Sequence, residues 1–401
     1  MNHFNNDEST KTPNRRTFIR LVGGGAVFAA TVPLLGCSSD FPAEAIAAWK
    51  TPEQEPKQGG EVRRQILSYA ILAPNAHNRQ GWLVDLKQPN EITLYCDTTR
   101  LLPETDPYSR QILLGQGTFL ELLDLSAKQF GQRAEITLFP EGAFDAKSVD
   151  RRPTARIKLT PDTALAKDPL FDQILKRRTN RRTYEVKELP ASAIQAITSS
   201  VAGLPVQVGF VGSSEADLLK QHRVIAKEAW RIELTTPRTI LESLKLMRVG
   251  PSEIKQNPDG ISNNSPFIRA VVALGLFDRN KAPASDDSSI ASQIKDFNAK
   301  IDATPAFFYL VTKGNDRLTQ INAGRAYVRA QLAATAHGLS MHPASQALQE
   351  YPEQAKTYLA IHQLLNAPPA THTVQMWTRI GFASTQQPSP RRGVEQLIMK
   401  V

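Results

Sequence analysis

Three clusters of side chains in this sequence are suited to gripping an anionic or flat polar ligand. The densest is Lys176-Arg177-Arg178-Thr179-Asn180-Arg181-Arg182-Thr183-Tyr184, with five basic residues in seven positions. Such a run repels itself unless an anion or an acidic partner compensates it. Guanidinium forks match phosphate oxygens in pairs, and the Thr179 hydroxyl adds a donor. The spacing predicts a helix over Leu170–Arg182, on which Arg178 and Arg182 share one face and Arg177 and Arg181 another. Two of these arginines would then reach one phosphate. Read alone, the run also fits a solvated face. The second cluster is Ala73-Pro74-Asn75-Ala76-His77-Asn78-Arg79-Gln80-Gly81-Trp82. The Asn75 and Asn78 amides offer both donor and acceptor, as the edge of a planar heterocycle requires. The same residues also suit a polar turn that satisfies itself. The third, Ser389-Pro390-Arg391-Arg392, carries little information in isolation.

These clusters must be placed by the elements around them. Glu61–Ala73 has apolar residues at helical spacing and is stopped by Pro74. Trp82–Leu86 and Ile92–Cys96 alternate as two strands of a hairpin. Ile112–Phe130 reads as a long helix closed by Gly131, followed by strands at Ala134–Phe139 and Ala155–Leu159. Beyond the arginine run, helices are expected at Ala191–Ser200, Glu215–Leu234, Ile240–Val249, Phe267–Phe277, Ile290–Ile301 and Leu318–Ala336. Strands are expected at Val206–Val211, Ala306–Val311 and His372–Phe382. Pro251–Pro266 is polar and reads as a covering or mobile loop. Ile112–Gly131 with its following strand is echoed by Ile321–Gly338 and Leu339, an internal duplication. The class is α+β.

Composition excludes several functions. Basic residues exceed acidic ones by nine, but the excess is spread along the chain and no nucleic-acid motif accompanies it. The seven histidines and two cysteines show no metal-ligand spacing, so no metal site is expected. The first forty residues read as an address. Arg15-Arg16 with Phe18 precedes an apolar run, Leu21–Leu35, that is short for a membrane span. This resembles a twin-arginine signal, with Asn14 where Ser or Thr is usual. Leu34-Leu35-Gly36-Cys37 looks like a lipobox, making Cys37 a candidate for lipidation and a membrane tether; an ordinary cysteine near a cleavage site around Ala43–Ala48 is the alternative. The implied partner is the twin-arginine translocase, which carries folded, cofactor-loaded proteins. The implied location is the periplasm or the cell-envelope membrane surface.

Together the clusters resemble those of the nitroreductase family, and more closely its exported, tandem pseudo-dimeric Acg-type relatives. Arg177–Tyr184 resembles the family's arginine motif, and Ala73–Trp82 its A-P-S-x-x-N-x-Q-P-W stretch. Gly338–Ser345 resembles the loop beside the flavin, and Ser389–Arg392 the C-terminal basic pair. The resemblance spans about residues 60–400. It implies a nitroreductase-like three-layer α+β fold of two fused halves, residues 61–165 and 166–401, after a leader (1–37) and a linker (38–60). A lid-like insertion is expected around 235–300. The implied cofactor is FMN, one per chain, in a composite site. Half two supplies Arg177, Arg178, Thr179, Arg181, Pro343, Ala344, Ser345, Arg391 and Arg392. Half one supplies Pro74, Asn75, Ala76 and Asn78. Ala76 retains only its backbone N–H for the flavin, and Gly81 replaces the family's proline. His77 and His342 are candidate proton donors that suit structural roles at least as well.

The resemblance implies an oxidoreductase that passes hydride or electrons through FMN N5 to a small-molecule acceptor, such as a quinone, nitro compound or other electrophile. Outside the cytoplasm NAD(P)H is not expected, so the alternative is a protein that binds and sequesters FMN without turnover. Neither reading involves nucleic acid.

Overall fold

The structure is a computed structural model that describes residues 39–50 and 61–400. Arg15-Arg16, the apolar run, Cys37 and residues 51–60 of the linker lie outside the described residues, while Ala43–Trp49 of the linker forms a short 3-10 helix.

The first half runs α1 (Val62–Ala70), β1 (Trp82–Asp85), β2 (Glu91–Cys96), α2 (Arg110–Gln129), β3 (Gln132–Leu138) and β4 (Pro153–Pro161). Its strands form an antiparallel sheet of order β1-β2-β4-β3. The second half begins with α3 (Ala191–Ser200), β5 (Gln207–Val211), α4 (Ala216–Thr235), α5 (Pro237–Lys245), β6 (Met247–Val249), α6 (Gly250–Gln256) and β7 (Ile261–Asn263). It continues with α7 (Pro266–Ala273), α8 (Ser288–Asp302), β8 (Ala306–Lys313), α9 (Arg317–Ala336), β9 (Ser340–Pro343), α10 (Ala355–Leu364) and β10 (His372–Gly381). Its main sheet, β5-β8-β10-β9, is also antiparallel. Both sheets therefore follow one plan: two strands, a long helix, two strands, with the last strand inserted between the second and third. The α+β class and the duplication read from sequence are both present.

The halves meet where α2 crosses α9. Each helix has 20 residues and ends before a glycine of positive φ, Gly131 (65°) or Gly338 (71°). Gly117 and Gly324 hold the same position in their helices. A Cβ on Gly117 would lie 2.1 Å from the Ile321 carbonyl oxygen, and one on Gly324 would lie 2.1 Å from that of Leu114. Only glycine lets the backbones approach so closely. Both helices open with a buried arginine that reaches across the junction. Arg110 pairs with Glu350 (3.1 Å), while Arg317 donates to the Tyr108, Asp145 and Ser148 carbonyls at 2.8–2.9 Å. Buried Glu121 accepts from Arg325 (2.7 Å) and Arg329 (2.8 Å), so the seam is also charge-matched. After β10 the chain returns to half one, where Val84 and Leu397–Met399 exchange backbone hydrogen bonds of 2.9–3.0 Å.

Three expectations are corrected. Leu170–Arg182 is not a helix: a short 3-10 turn at Pro169–Gln173, capped by Asp168, is followed by extended chain. Thr179 and Asn180 lie against β9, with the Asn180 N–H bonded to the Met341 carbonyl (3.1 Å), and this pairing excludes helix. The helix expected at Ile240–Val249 is split into α5 and β6. Pro251–Pro266 is not featureless, because it contains α6 and β7.

Candidate functional site

The Asn-rich turn is held in an uncommon backbone shape. His77, Asn78 and Gln80 have φ of 45°, 52° and 50°, the left-handed region that non-glycine residues seldom occupy. Such strain persists only where surrounding bonds fix it. Asn75 supplies two of them: its Oδ1 accepts from the Gln80 N–H (2.8 Å) and its Nδ2 donates to the Ala73 carbonyl (3.0 Å). Asn78 donates to the Pro390 carbonyl (3.0 Å) and accepts from the Arg391 guanidinium. Both amides are thus engaged within the protein, and the self-satisfied turn describes their side chains better than a free heterocycle edge does. The Ala76 N–H has no intramolecular acceptor among the described residues. Gln80, fully buried and absent from the sequence-derived site, ties the turn to both flanks. It donates to the Pro258 carbonyl (2.9 Å) and accepts from the Arg392 N–H (2.9 Å).

Because the arginine run is extended, its side chains diverge. Arg177 is buried and donates to the Leu72 carbonyl (2.9 Å) and Gln331 Oε1 (3.2 Å). Arg178 donates to the Leu175 and Arg177 carbonyls (2.7 and 2.8 Å). Arg391 comes in from the C-terminal crossing and donates to the Ile71 (3.1 Å) and Ala73 (3.2 Å) carbonyls. Arg392 donates to the Gln80 carbonyl. The heads of Arg177, Arg178 and Arg391 surround the Trp49 indole, at 5.7, 4.5 and 5.4 Å from its ring. No carboxylate pairs with any of the three among the described residues.

This cation cluster is electrostatically incomplete. Burial, then the neighbouring Arg177 and Arg178, holds the Arg391 pKa well below the usual arginine range. Burial lowers those of Arg177 and Arg178 to about 10. The Nε atoms of Arg177, Arg178 and Arg392 are buried without a partner, as is the Tyr327 hydroxyl, which lies within the field of Arg177 and Arg181. Buried donors left unpaired are costly, and an anion with several acceptor oxygens would satisfy them.

Arg181, which shares the Tyr327 hydroxyl's surroundings with Arg177, also acts on two histidines, one from each half. His77 is pushed down to about 4 by burial, with Arg181 and Arg79 adding to the shift. His342 is pushed well below 6.5 by burial, then by Arg379, Arg181 and Lys300. Its Nδ1 accepts from Arg379 Nε (3.2 Å), so the ring proton of neutral His342 sits on Nε2. Neither histidine is an imidazolium at neutral pH, which favours structural roles. In the Pro343–Ser345 loop, proline has no N–H and Ala344 donates to the Trp377 carbonyl (2.8 Å), so the N–H available to a ligand is that of Ser345. The Thr179 backbone is fixed against β9 by a bridge to Met341.

The structure thus brings the Asn turn, Arg177, Arg178, Arg391 and Arg392 together, while Arg181 influences His77 and His342 through its charge. Sequence reasoning missed Trp49, Gln80, Gln331, Tyr327 and Arg379. Only Gln80 lay within a cluster that spacing had marked.

No family model matches the chain. A Mycobacterium tuberculosis protein named "Putative NAD(P)H nitroreductase", found in strains CDC 1551 and H37Rv, is 27% identical over 351 residues, covering 84% of this chain and 91% of the relative. That likeness supports the nitroreductase resemblance. Solved structures with partial similarity include a Bacteroides fragilis nitroreductase with bound FMN (14% identity, 57% of this chain and 97% of that one, TM-score 0.34). Another is an FMN-dependent nitroreductase from Mycobacterium smegmatis in complex with NADPH (18% identity, 57% and 96% coverage, TM-score 0.34).

Proposed function

We propose that this chain is an FMN-dependent oxidoreductase of nitroreductase type, with one composite cofactor site built from its two fused halves. The observation that carries this reading is the gathering of the Arg177, Arg178 and Arg391 guanidiniums without a carboxylate, beside buried donors that lack partners. A phosphate dianion fits that deficit in charge and in hydrogen-bond acceptors. Arg177, Arg178, Thr179, Arg391 and Arg392 would hold the phosphate. Arg181 and the Ala76 and Ser345 N–H groups would serve the ring system, and Pro74, Asn75, Asn78, Pro343 and Ala344 would shape its walls. When bound, FMN supplies hydride and electron exchange through N5. The protein's part is to position the ring, exclude water and present cations and N–H groups where negative charge develops.

The twin-arginine pair and the Cys37 lipobox support export of the loaded chain by the twin-arginine translocase to the periplasm or envelope surface, with a membrane tether on Cys37. There a small-molecule acceptor, a quinone, nitro compound or other electrophile, would take the electrons. A second reading, FMN sequestration without turnover, is favoured by one observation. Ala43–Trp49 closes over the arginine cluster, with Trp49 buried, its Nε1 bonded to the Ser389 carbonyl (2.8 Å), and the Ala45 carbonyl held by the Arg391 N–H (2.9 Å).

The first test is the flavin content of the purified protein and its affinity for FMN by fluorescence quenching. Tight binding that falls about 100-fold or more in Arg178→Ala/Arg391→Ala is expected from the loss of two charge-assisted contacts. A colourless protein that takes up no FMN overturns both readings. Dithionite-reduced holoprotein then separates them: rapid reoxidation by a quinone marks the enzyme, and an unreactive flavin marks sequestration.

A further inference from the structure

Arg181 also forms one wall of an open cleft of about 480 Å³, completed by Arg182, Thr183, Lys300, Ser384 and Gln386. That volume is in the range of small-molecule sites. Its framework is built rather than incidental. Arg379, 1% exposed, lies behind the cleft and donates to the Lys300 carbonyl (3.3 Å) and the Arg182 carbonyl (3.2 Å), fixing the two cationic walls relative to each other. Its Nε is held by His342, and its head stacks over the Tyr184 ring at 4.4 Å. On the other side, Gln386 accepts from the Arg181 N–H (3.1 Å) and Ser384 Oγ meets Arg182 Nη1 (3.2 Å).

The charge here is one-sided. Arg181, Arg182, Lys300 and Arg379 form no ion pair with any carboxylate among the described residues. His342 and His77, which feel Arg181, are neutral and add no negative charge. A cleft lined by one sign of charge and by hydroxyl and amide donors raises the local concentration of the opposite ion. The three-arginine cluster around Trp49 already accounts for one phosphate, and Arg182, Thr183, Lys300 and Ser384 take no part in it. We infer that this cleft is a separate subsite that selects electron-exchange partners bearing an anionic group, a carboxylate or a phosphate ester, and brings them to the Arg181 end of the site. Its role in turnover rests on the oxidoreductase reading above; anion binding by the cleft does not.

The test uses the full mature protein and three nitroaromatic probes of similar size: 4-nitrobenzoate, 4-nitrophenyl phosphate and neutral 4-nitrobenzamide. Affinity is measured by calorimetric titration of wild type and Arg182→Ala/Lys300→Ala, neither residue belonging to the cofactor set. The anions should bind wild type about tenfold or more tightly than the amide, as loss or gain of charge-assisted contacts implies. The better of the two identifies the group. The double variant should lose this preference while its affinity for the amide and its FMN content stay unchanged. Equal binding of all three probes, or a preference that survives in the variant, overturns the inference. A protein that shows the preference but retains no FMN refutes the cofactor reading and leaves the anion subsite standing. With reduced flavin, reoxidation by 4-nitrobenzoate should slow in the variant and that by 4-nitrobenzamide should not.

Discussion

The two halves share a sheet order and a buried helix but differ in what joins their first two strands. In half one, β1 and β2 are linked by residues 86–90, a tight turn with Asn90 at φ 58°. In half two, residues 212–305 separate β5 from β8 and carry α4 to α8 with the small β6–β7 pair. Cation placement differs as well. Arg63 of half one is satisfied by the Leu86, Gln88 and Glu91 carbonyls and by Glu61, and Arg64 pairs with Glu61 and Glu395. Arg177 and Arg178 of half two meet only carbonyls, an amide and an indole. Among the described residues, the arginine pair of half one is matched by carboxylates and the pair of half two is not. The seam is kept symmetric because both helices need it, while the strand connections and surface charges are free to diverge.

The largest effect that would break this comparison is at the shared seam. Gly117→Val or Gly324→Val should abolish soluble, cooperatively folded protein, since the new side chain meets a helix carbonyl from the other half. Gly338→Ala, at a positive φ with nothing within 4 Å of the added Cβ, should cost only about 1 kcal/mol in urea unfolding. Next comes the asymmetry of charge. Arg391→Ala should weaken FMN binding about 30-fold or more, whereas Arg63→Ala should change it less than about twofold, both read by fluorescence titration.

A third effect is pH-dependent. Glu233 of half two is buried against Gln349 (2.9 Å), and burial raises its pKa to about 7. A carboxyl that folds with a raised pKa stabilises fully below its unfolded value near 4.5, and that contribution is lost as pH rises through about 7. Glu233→Gln should therefore unfold at a higher urea concentration than wild type at pH 8, by about 1–3 kcal/mol relative to the difference at pH 5. His222 and His362 act in the opposite sense. Burial lowers each to about 4, so their contribution is present above 6.5 and is lost as pH falls toward 4. Wild type should accordingly lose thermal stability on acidification through that window. The smallest effect is expected at Arg64, whose exposed pairs with Glu61 and Glu395 should contribute less than about 0.5 kcal/mol when removed as Arg64→Ala.

Much of the fold was legible because its signals are local. The β1–β2 hairpin alternates between turn residues. The helix α9 has Asp316 as its cap, bonded to the Thr319 N–H (2.7 Å), and Gly338 beyond its end. The helix α10 was not legible, because its buried residues Thr357, Ile361 and His362 make no apolar stripe. The arginine run looked helical because Lys and Arg favour helices, but the pairing of Asn180 with Met341 is a contact between distant segments. That the Asn turn and the C-terminal arginines share one chemistry was readable from the motifs, and the structure brings them into contact. The assignment of each side chain was not: Asn75 and Asn78 are tied up internally, and Trp49 enters the arginine cluster from a stretch with no distinguishing pattern.

The C-terminal crossing has a consequence for the order of folding. Arg391 reaches the Ile71 carbonyl across a sequence separation of 320 residues, and Asn78 meets Pro390 across 312. Contacts of such span form only after the intervening chain has found its place, since loop-closure entropy must be met first. The arginine side chains belong to half two, but the Leu72, Ile71 and Ala73 carbonyls that seat Arg177 and Arg391 belong to half one, so the cluster takes its shape only when both halves are in place. Cofactor uptake would thus act as a proofreading signal, reporting that the whole chain has reached its native topology rather than that either half has folded.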